Sequence, residues 1–224
     1  MTQMLARLRI EWRWKLWLTV ALNLVFWGGY ELFGRHAFFP LRPVPMTWLD
    51  RHIPFQPSPW GWIYLSQFSF TAVVPWLLTT RDGIRRYVAG FVIMMVVSFL
   101  IYLFLPTIAP WPADGGSTVP MYIILHGSGP MNAIPSLHAA FLIYMGALAW
   151  RMFGRVTPFW VILVAIVWGG AILYSTIATR QHYALDLAAG MVLGWIADAL
   201  AWRGASAAAT MPVRVDSASC SGAR

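Results

Sequence analysis

Apolar positions in this chain neither alternate nor recur every three or four residues; they run on. Six such runs stand out, at 16–33, 60–78, 88–105, 135–153, 159–177 and 183–202. A bilayer crossing takes about 20 mostly apolar residues at a rise of about 1.5 Å each. The pattern therefore predicts an all-α integral membrane protein with six transmembrane helices joined by short loops. Between the first two runs, residues 36–59 are rich in proline and aromatics and read as an interfacial segment, with Trp48 and Phe55 at headgroup level. From Gly204 onward the residues are small and polar without an apolar period, which predicts a disordered tail. The expected divisions are a basic N-terminus at 1–15, a membrane body at 16–203 and the tail at 204–224.

Composition supports this reading. Of the 224 residues, 59% are apolar and 11% charged, with 14 tryptophans. Mean hydropathy is +0.62. Soluble domains are about 45–50% apolar and about 25% charged, so a large soluble domain is excluded. A basic segment (Arg7, Arg9, Arg13, Lys15) precedes the first run, which is too long for a signal-peptide core and lacks a small-residue cleavage pattern. It reads as an uncleaved anchor. The single cysteine, Cys220, permits no intrachain disulfide.

The formal charge of +8 would fit nucleic acid, but its distribution says otherwise. Lys and Arg concentrate at the N-terminus, in the loops carrying Arg81, Arg85, Arg86 and Arg151, Arg155, and at the C-terminal end. Only Arg35, Arg42, Arg51 and Arg180 fall on the opposite side. The positive-inside rule then predicts both termini in the cytoplasm. The surplus is a topology signal, with no nucleic-acid partner.

Titratable residues within spans are costly and mark functional sites by default. Three matter: His138 near the start of the fourth run, and His182 with Asp186 at the start of the sixth. Both runs enter from the outer face, so all three lie at one depth near that interface. His182 and Asp186, four apart, share a helix face. There the carboxylate can fix the imidazole tautomer and leave the other nitrogen bare. His138 on another helix can serve as acid or base across a small substrate. Pro135 suits a first helical turn, and Ser136 with the free amides beside it forms an anion-binding helix end. Histidines 36, 52 and 126 read as hydrated bystanders, and Asp198 as a residue of the cytoplasmic interface. Asp50 and Arg51 can pair as an interfacial salt bridge. Gly28-Gly29, Gly169-Gly170 and the Gly190…Gly194 pair permit close helix contacts within the bundle.

Pro135-Ser136-Leu137-His138 and His182-Tyr183-Ala184-Leu185-Asp186 resemble motifs of the type 2 phosphatidic acid phosphatase superfamily. Within it, the branch related to inositol phosphorylceramide synthase is the nearer likeness. It shares Pro-Ser-Leu-His, the Gln181-His182-Tyr183 to Asp186 pattern, Asp50-Arg51-His52-Ile53-Pro54-Phe55, and a proline-rich segment like residues 104–112. The resemblance covers roughly residues 50–190. It implies six helices and metal-independent phosphoryl transfer through a phosphohistidine, with no cofactor. Carried onto this chain, His182 resembles the nucleophile, Asp186 its orienter, His138 the acid on the leaving group, and Ser136 a phosphate holder. The superfamily's first motif, a Lys followed by Arg-Pro, has no match. The arginine six residues before the nucleophile is Thr176 here. The residues instead offer Arg180 as phosphate ligand, with Arg42 and Arg51 as weaker candidates.

The expected partners are a lipid phosphate or phospholipid and, in a transferase, an alcohol acceptor. The expected place is a multi-pass membrane location with the active site on the extracytoplasmic side. Three other classes fit parts of the pattern. Two histidines on facing helices can ligate haem or border a quinone. His and Asp four apart can share a metal in a hydrolase. A transporter fits poorly, since its site belongs at the bilayer midplane.

Overall fold

Proline decides where the second apolar run stops being an α-helix. The computed structural model describes residues 2–109, 129, 131–205 and 209. Over these the chain forms α1 (Thr2–Arg9), α2 (Trp12–Arg35), α3 (Trp48–His52), α4 (Pro57–Val73), α5 (Arg81–Phe104), α6 (Leu137–Phe153), α7 (Phe159–Ala178) and α8 (Ala184–Ala201). Pro57 and Pro59 sit at the start of α4, where a missing N–H costs nothing. Pro75 then removes an i→i−4 bond, and Val74–Leu77 tightens into a 3-10 turn. Thr80 caps α5 by accepting from the Gly83 amide. That helix therefore begins seven residues before the apolar run that announced it.

Among the described residues, four helices are long and apolar enough to cross a membrane: Trp12–Arg35, Arg81–Phe104, Phe159–Ala178 and Ala184–Ala201. The apolar helix Leu137–Phe153 is shorter, at 17 residues. Large side chains on α2 and α7 face outward; Trp17, Leu24, Phe159, Trp160 and Ile166 are all more than 60% exposed. Continuous exposed apolar surface of this kind belongs against lipid. The chain is mostly helical and membrane-embedded.

The core lies where α5, α6 and α8 meet, around Met94, Tyr144, Met145 and Leu148, all fully buried. Helices α6 and α8 pack backbone to backbone. A Cβ on Gly190 would strike the Ser136 carbonyl, and one on Gly194 the Ala140 carbonyl. This close approach requires glycine and brings the two histidine-bearing helices together. Gly28, Gly169 and Gly170 make no such contact. At the far end of the same pair, Arg151 and Asp198 form a bidentate ion pair. Asp198 is thus buried and paired, where the sequence suggested a plain interface residue. Lys15, expected in the basic leader, lies inside α2, is 4% exposed, and donates to the carbonyls of Arg7 and Trp76.

The proline-rich segment contains short β1 (Arg42–Pro43), paired in parallel with β2 (Thr107–Ile108). Ile108 also bridges Met131. Helix α3 is closed by a capping box between Thr47 and Asp50. Asp50 does not pair with Arg51, whose guanidinium donates to the Met46 carbonyl. The tail expectation, apart from Gly204, Ala205 and Ala209, lies outside the described residues, as do His126, Cys220 and residues 110–112 of the proline-rich segment.

Candidate active site

The two histidines are brought into place by the starts of two helices. Ser136 ends an extended stretch and caps α6, its Oγ accepting from the Ala139 amide at 3.3 Å. His138 follows on the first turn. The five residues between α7 and α8 turn more tightly than a loop need. His182 and Gln181 both donate their amides to the Thr176 carbonyl, at 3.2 and 3.0 Å. Arg180 adopts a left-handed φ of 55° to make this turn, a conformation that costs a non-glycine residue about 1 kcal/mol or more. The Ser136 amide then donates to the Asp186 carbonyl at 3.0 Å, tying the two helix starts to each other.

The rings of His138 and His182 lie 5.5 Å apart between centroids, inclined by 59°. His182 is 3% exposed. Its Nδ1 lies 3.1 Å from the Ala133 carbonyl oxygen and 3.6 Å from Asp186 Oδ2. Both are acceptors, so Nδ1 carries the hydrogen and Nε2 is left with its lone pair. The direct hydrogen bond goes to Ala133, with Asp186 just beyond hydrogen-bond range. Ala133 is itself fixed, since the Ile134 amide donates to Thr107 Oγ1 at 2.9 Å. Asp186 spends Oδ2 on the Tyr183 amide at 2.8 Å. Its Oδ1 is buried with no partner among the described residues.

His138 Nε2 is 2.6 Å from the Tyr64 hydroxyl. That nitrogen is the acceptor found for the phenol among the described residues, so Tyr64 donates and Nδ1 of His138 carries the ring hydrogen. Nδ1 is buried and unpartnered among the described residues. Gln67, one turn on from Tyr64, donates its Nε2 to the His138 carbonyl at 2.6 Å. Tyr64 and Gln67 are the residues that the sequence reading missed. Their signal was present: two polar side chains three apart, on one face of an apolar run.

Arg180 is not aimed at open solvent. Its guanidinium donates to the carbonyls of Asp50 and Ile53, at 2.7 and 3.0 Å. These cap the C-terminal end of α3, a favourable place for a cation. Arg42 stands exposed on β1. Thr176, at the position of the missing arginine, is buried and bonds the Leu173 carbonyl. One buried donor next to His182 in sequence is free of partners among the described residues, Gln181 Nε2. The described residues thus assemble His138, His182, Asp186 and Ser136, and join Arg180 to α3.

Residues 32–200 match the model of the PAP2 superfamily, and the chain belongs to that superfamily. Membership supports an enzyme of the membrane, a phosphatase or phosphotransferase of lipid phosphates. No curated protein and no solved structure matches the chain.

Proposed function

We propose that the protein cleaves a lipid-linked phosphate ester at the outer membrane face through a phosphohistidine on His182. The observation that carries this is the facing pair of imidazoles, each held by a hydrogen bond through one nitrogen and open at the other. Nε2 of His182 attacks phosphorus. The P–O bond to the lipid breaks, and the departing oxygen takes a proton from His138 Nδ1. Water or an alcohol then attacks the phosphohistidine and gives its proton back to His138, and the P–N bond breaks. Water makes the protein a phosphatase; an alcohol makes it a phosphotransferase, as the inositol phosphorylceramide synthase likeness favours.

Asp186 supports the imidazolium-like charge that grows on His182 as the P–N bond forms, from 3.6 Å. Ser136 and the first amides of α6 face the phosphoryl oxygens as a helix start. The Arg180 donors not used on α3 supply positive charge to the same oxygens.

The topology proposed is six crossings, by α2, α4 with its 3-10 extension, α5, α6, α7 and α8, with both termini on the cytoplasmic side. At 17 residues α6 spans about 26 Å, adequate for a helix whose outer end is buried under α3 and the β1–β2 loops.

The test is phosphate release and lipid product analysis in detergent micelles, in chelator, with and without an alcohol acceptor, beside His182→Ala. Free phosphate from the wild type alone supports hydrolysis through His182. A new lipid formed only with acceptor supports transfer. Equal turnover by the variant overturns the phosphohistidine.

A further inference from the structure

An apolar cleft of about 320 Å³ runs between α2 and α4, floored by α5 and α6. One end reaches His138 and Tyr30, the other Lys15 and Trp76. Residues 15 and 30 of α2 are about 22 Å apart along the helix axis, so the cleft follows much of the depth of a bilayer leaflet pair. At the Lys15 end it is tied shut. Lys15 Nζ donates to the Trp76 carbonyl at 2.7 Å, and Trp76 Nε1 to Thr19 Oγ1 at 3.1 Å. Toward the His138 end, Trp27 of α2 and Phe68 of α4 stack at 6.2 Å across the rim and remain 40% and 39% exposed. The cleft is thus a slot with a closed foot, an apolar wall and a rim open to the lipid side.

Two polar groups stand at its upper end. His138 lines the cleft while its ring also faces His182, which does not line it. Gln67 also lines the cleft and is 3% exposed. Its Nε2 is committed to the His138 carbonyl, which fixes the amide's orientation. Its Oε1 is therefore the end left over, and it has no hydrogen-bond partner among the described residues. A buried amide oxygen without a donor is unfavourable by about 1–3 kcal/mol and marks a place where a ligand's O–H or N–H fits.

We propose that this cleft holds the hydrocarbon chain of the substrate lipid, and that Gln67 Oε1 accepts a hydrogen bond from a hydroxyl on the carbons next to the phosphoester. The class of substrate is a lipid phosphomonoester with a free hydroxyl beside the ester, and not a prenyl phosphate. The inference rests on the phosphohistidine reading and adds the leaving group to it. His138 then stands where a general acid belongs, between the lipid alcohol in the cleft and the phosphoryl group on His182. A site built around an unpaired acceptor discriminates against an analogue that lacks the matching donor.

The experiment uses the full-length protein in micelles with two phosphomonoesters of one chain length, a lysophosphatidate and its 2-deoxy analogue. The wild type is expected to favour the hydroxylated ester by about tenfold in kcat/KM, and Gln67→Leu to bring that ratio to near one. No preference in the wild type overturns the role of Gln67 whether or not the variant folds, and so does a preference that survives in Gln67→Leu. In parallel, a lysophosphatidate with a photoreactive diazirine at mid-chain is cross-linked to wild type and to His182→Ala. Adducts on the α2 and α4 peptides are expected in both proteins, and adducts confined to other helices overturn the cleft. Equal turnover by His182→Ala would instead overturn the phosphohistidine reading, and the cross-linking map would be unaffected by that result.

Discussion

Asp50 accepts a hydrogen bond from the main-chain amide of Ala184 at 2.8 Å. This joins the short helix of the proline-rich segment to the first residue of the helix that carries Asp186. The carboxylate is fully buried, and its other oxygen takes the Thr47 amide and hydroxyl, each at 2.7 Å. Arg180 closes the joint from the opposite direction through the carbonyls of Asp50 and Ile53. The Gln56 amide adds a bond to the Ala178 carbonyl at 2.8 Å. Residues 178–184, with His182 among them, are therefore held from outside the bundle by residues 47–56.

Removing that joint should misplace His182 without touching substrate. Asp50→Ala strands the Ala184 and Thr47 amides, at a cost of about 2 kcal/mol. The expected result is a lower unfolding temperature in detergent and a kcat about tenfold down, with KM little changed. Asp50→Asn keeps one acceptor oxygen and should recover part of kcat. A change confined to KM would contradict a positioning role.

Tyr64 orients the proposed acid and should matter in proportion to how badly the leaving group needs a proton. Tyr64→Phe removes the 2.6 Å bond to His138 Nε2. His138→Ala removes the acid itself, where such groups contribute about 10²–10⁴-fold. Both losses should be large on a lipid phosphate and small on p-nitrophenyl phosphate, whose leaving group departs unaided. Equal losses on the two esters would remove His138 from that role.

Arg180→Ala separates two jobs. Loss of the clasp on α3 lowers thermal stability, and loss of charge near the phosphoryl oxygens weakens inhibition by vanadate. Both effects are expected. Unchanged vanadate inhibition in a destabilised protein would leave Arg180 as a clasp only.

The glycines differ sharply in tolerance. Gly190→Ala drives a methyl into the Ser136 carbonyl and should lower folded yield and activity together, because α6 and α8 must separate. Gly28→Ala meets nothing within 4 Å and should be neutral or slightly stabilising, since alanine is the better helix former. Yield and unfolding temperature in detergent distinguish the two.

The apolar runs located every long helix among the described residues, because a lipid-facing surface needs no partner and so writes itself as uninterrupted hydrophobicity. Helix ends were less legible. α5 begins at Arg81 and not near residue 88, since a Thr80 cap and polar first turns outside the hydrocarbon add length that hydropathy does not count. His138, His182 and Asp186 were legible through their cost in a membrane. The hydrogen-bond partner of His182 was not, because a carbonyl such as that of Ala133 carries no side-chain signature. Arg180 was read as a surface cation facing phosphate. Its bonds to α3 depend on where residues 47–56 fold back, which spacing along the chain does not reveal. Asp50 was visible as part of a motif, but its acceptor role on Ala184 spans 134 residues of sequence.

The central claim is that His182 carries the phosphoryl group, and trapping it is the most direct measurement. Wild type, His182→Ala and His138→Ala would each be quenched in base during turnover of a ³²P-labelled lipid phosphate in chelator, then digested and mapped. The account predicts an acid-labile label on the peptide containing His182, absent from His182→Ala along with turnover. Label on any other peptide, or full turnover by His182→Ala, would contradict it.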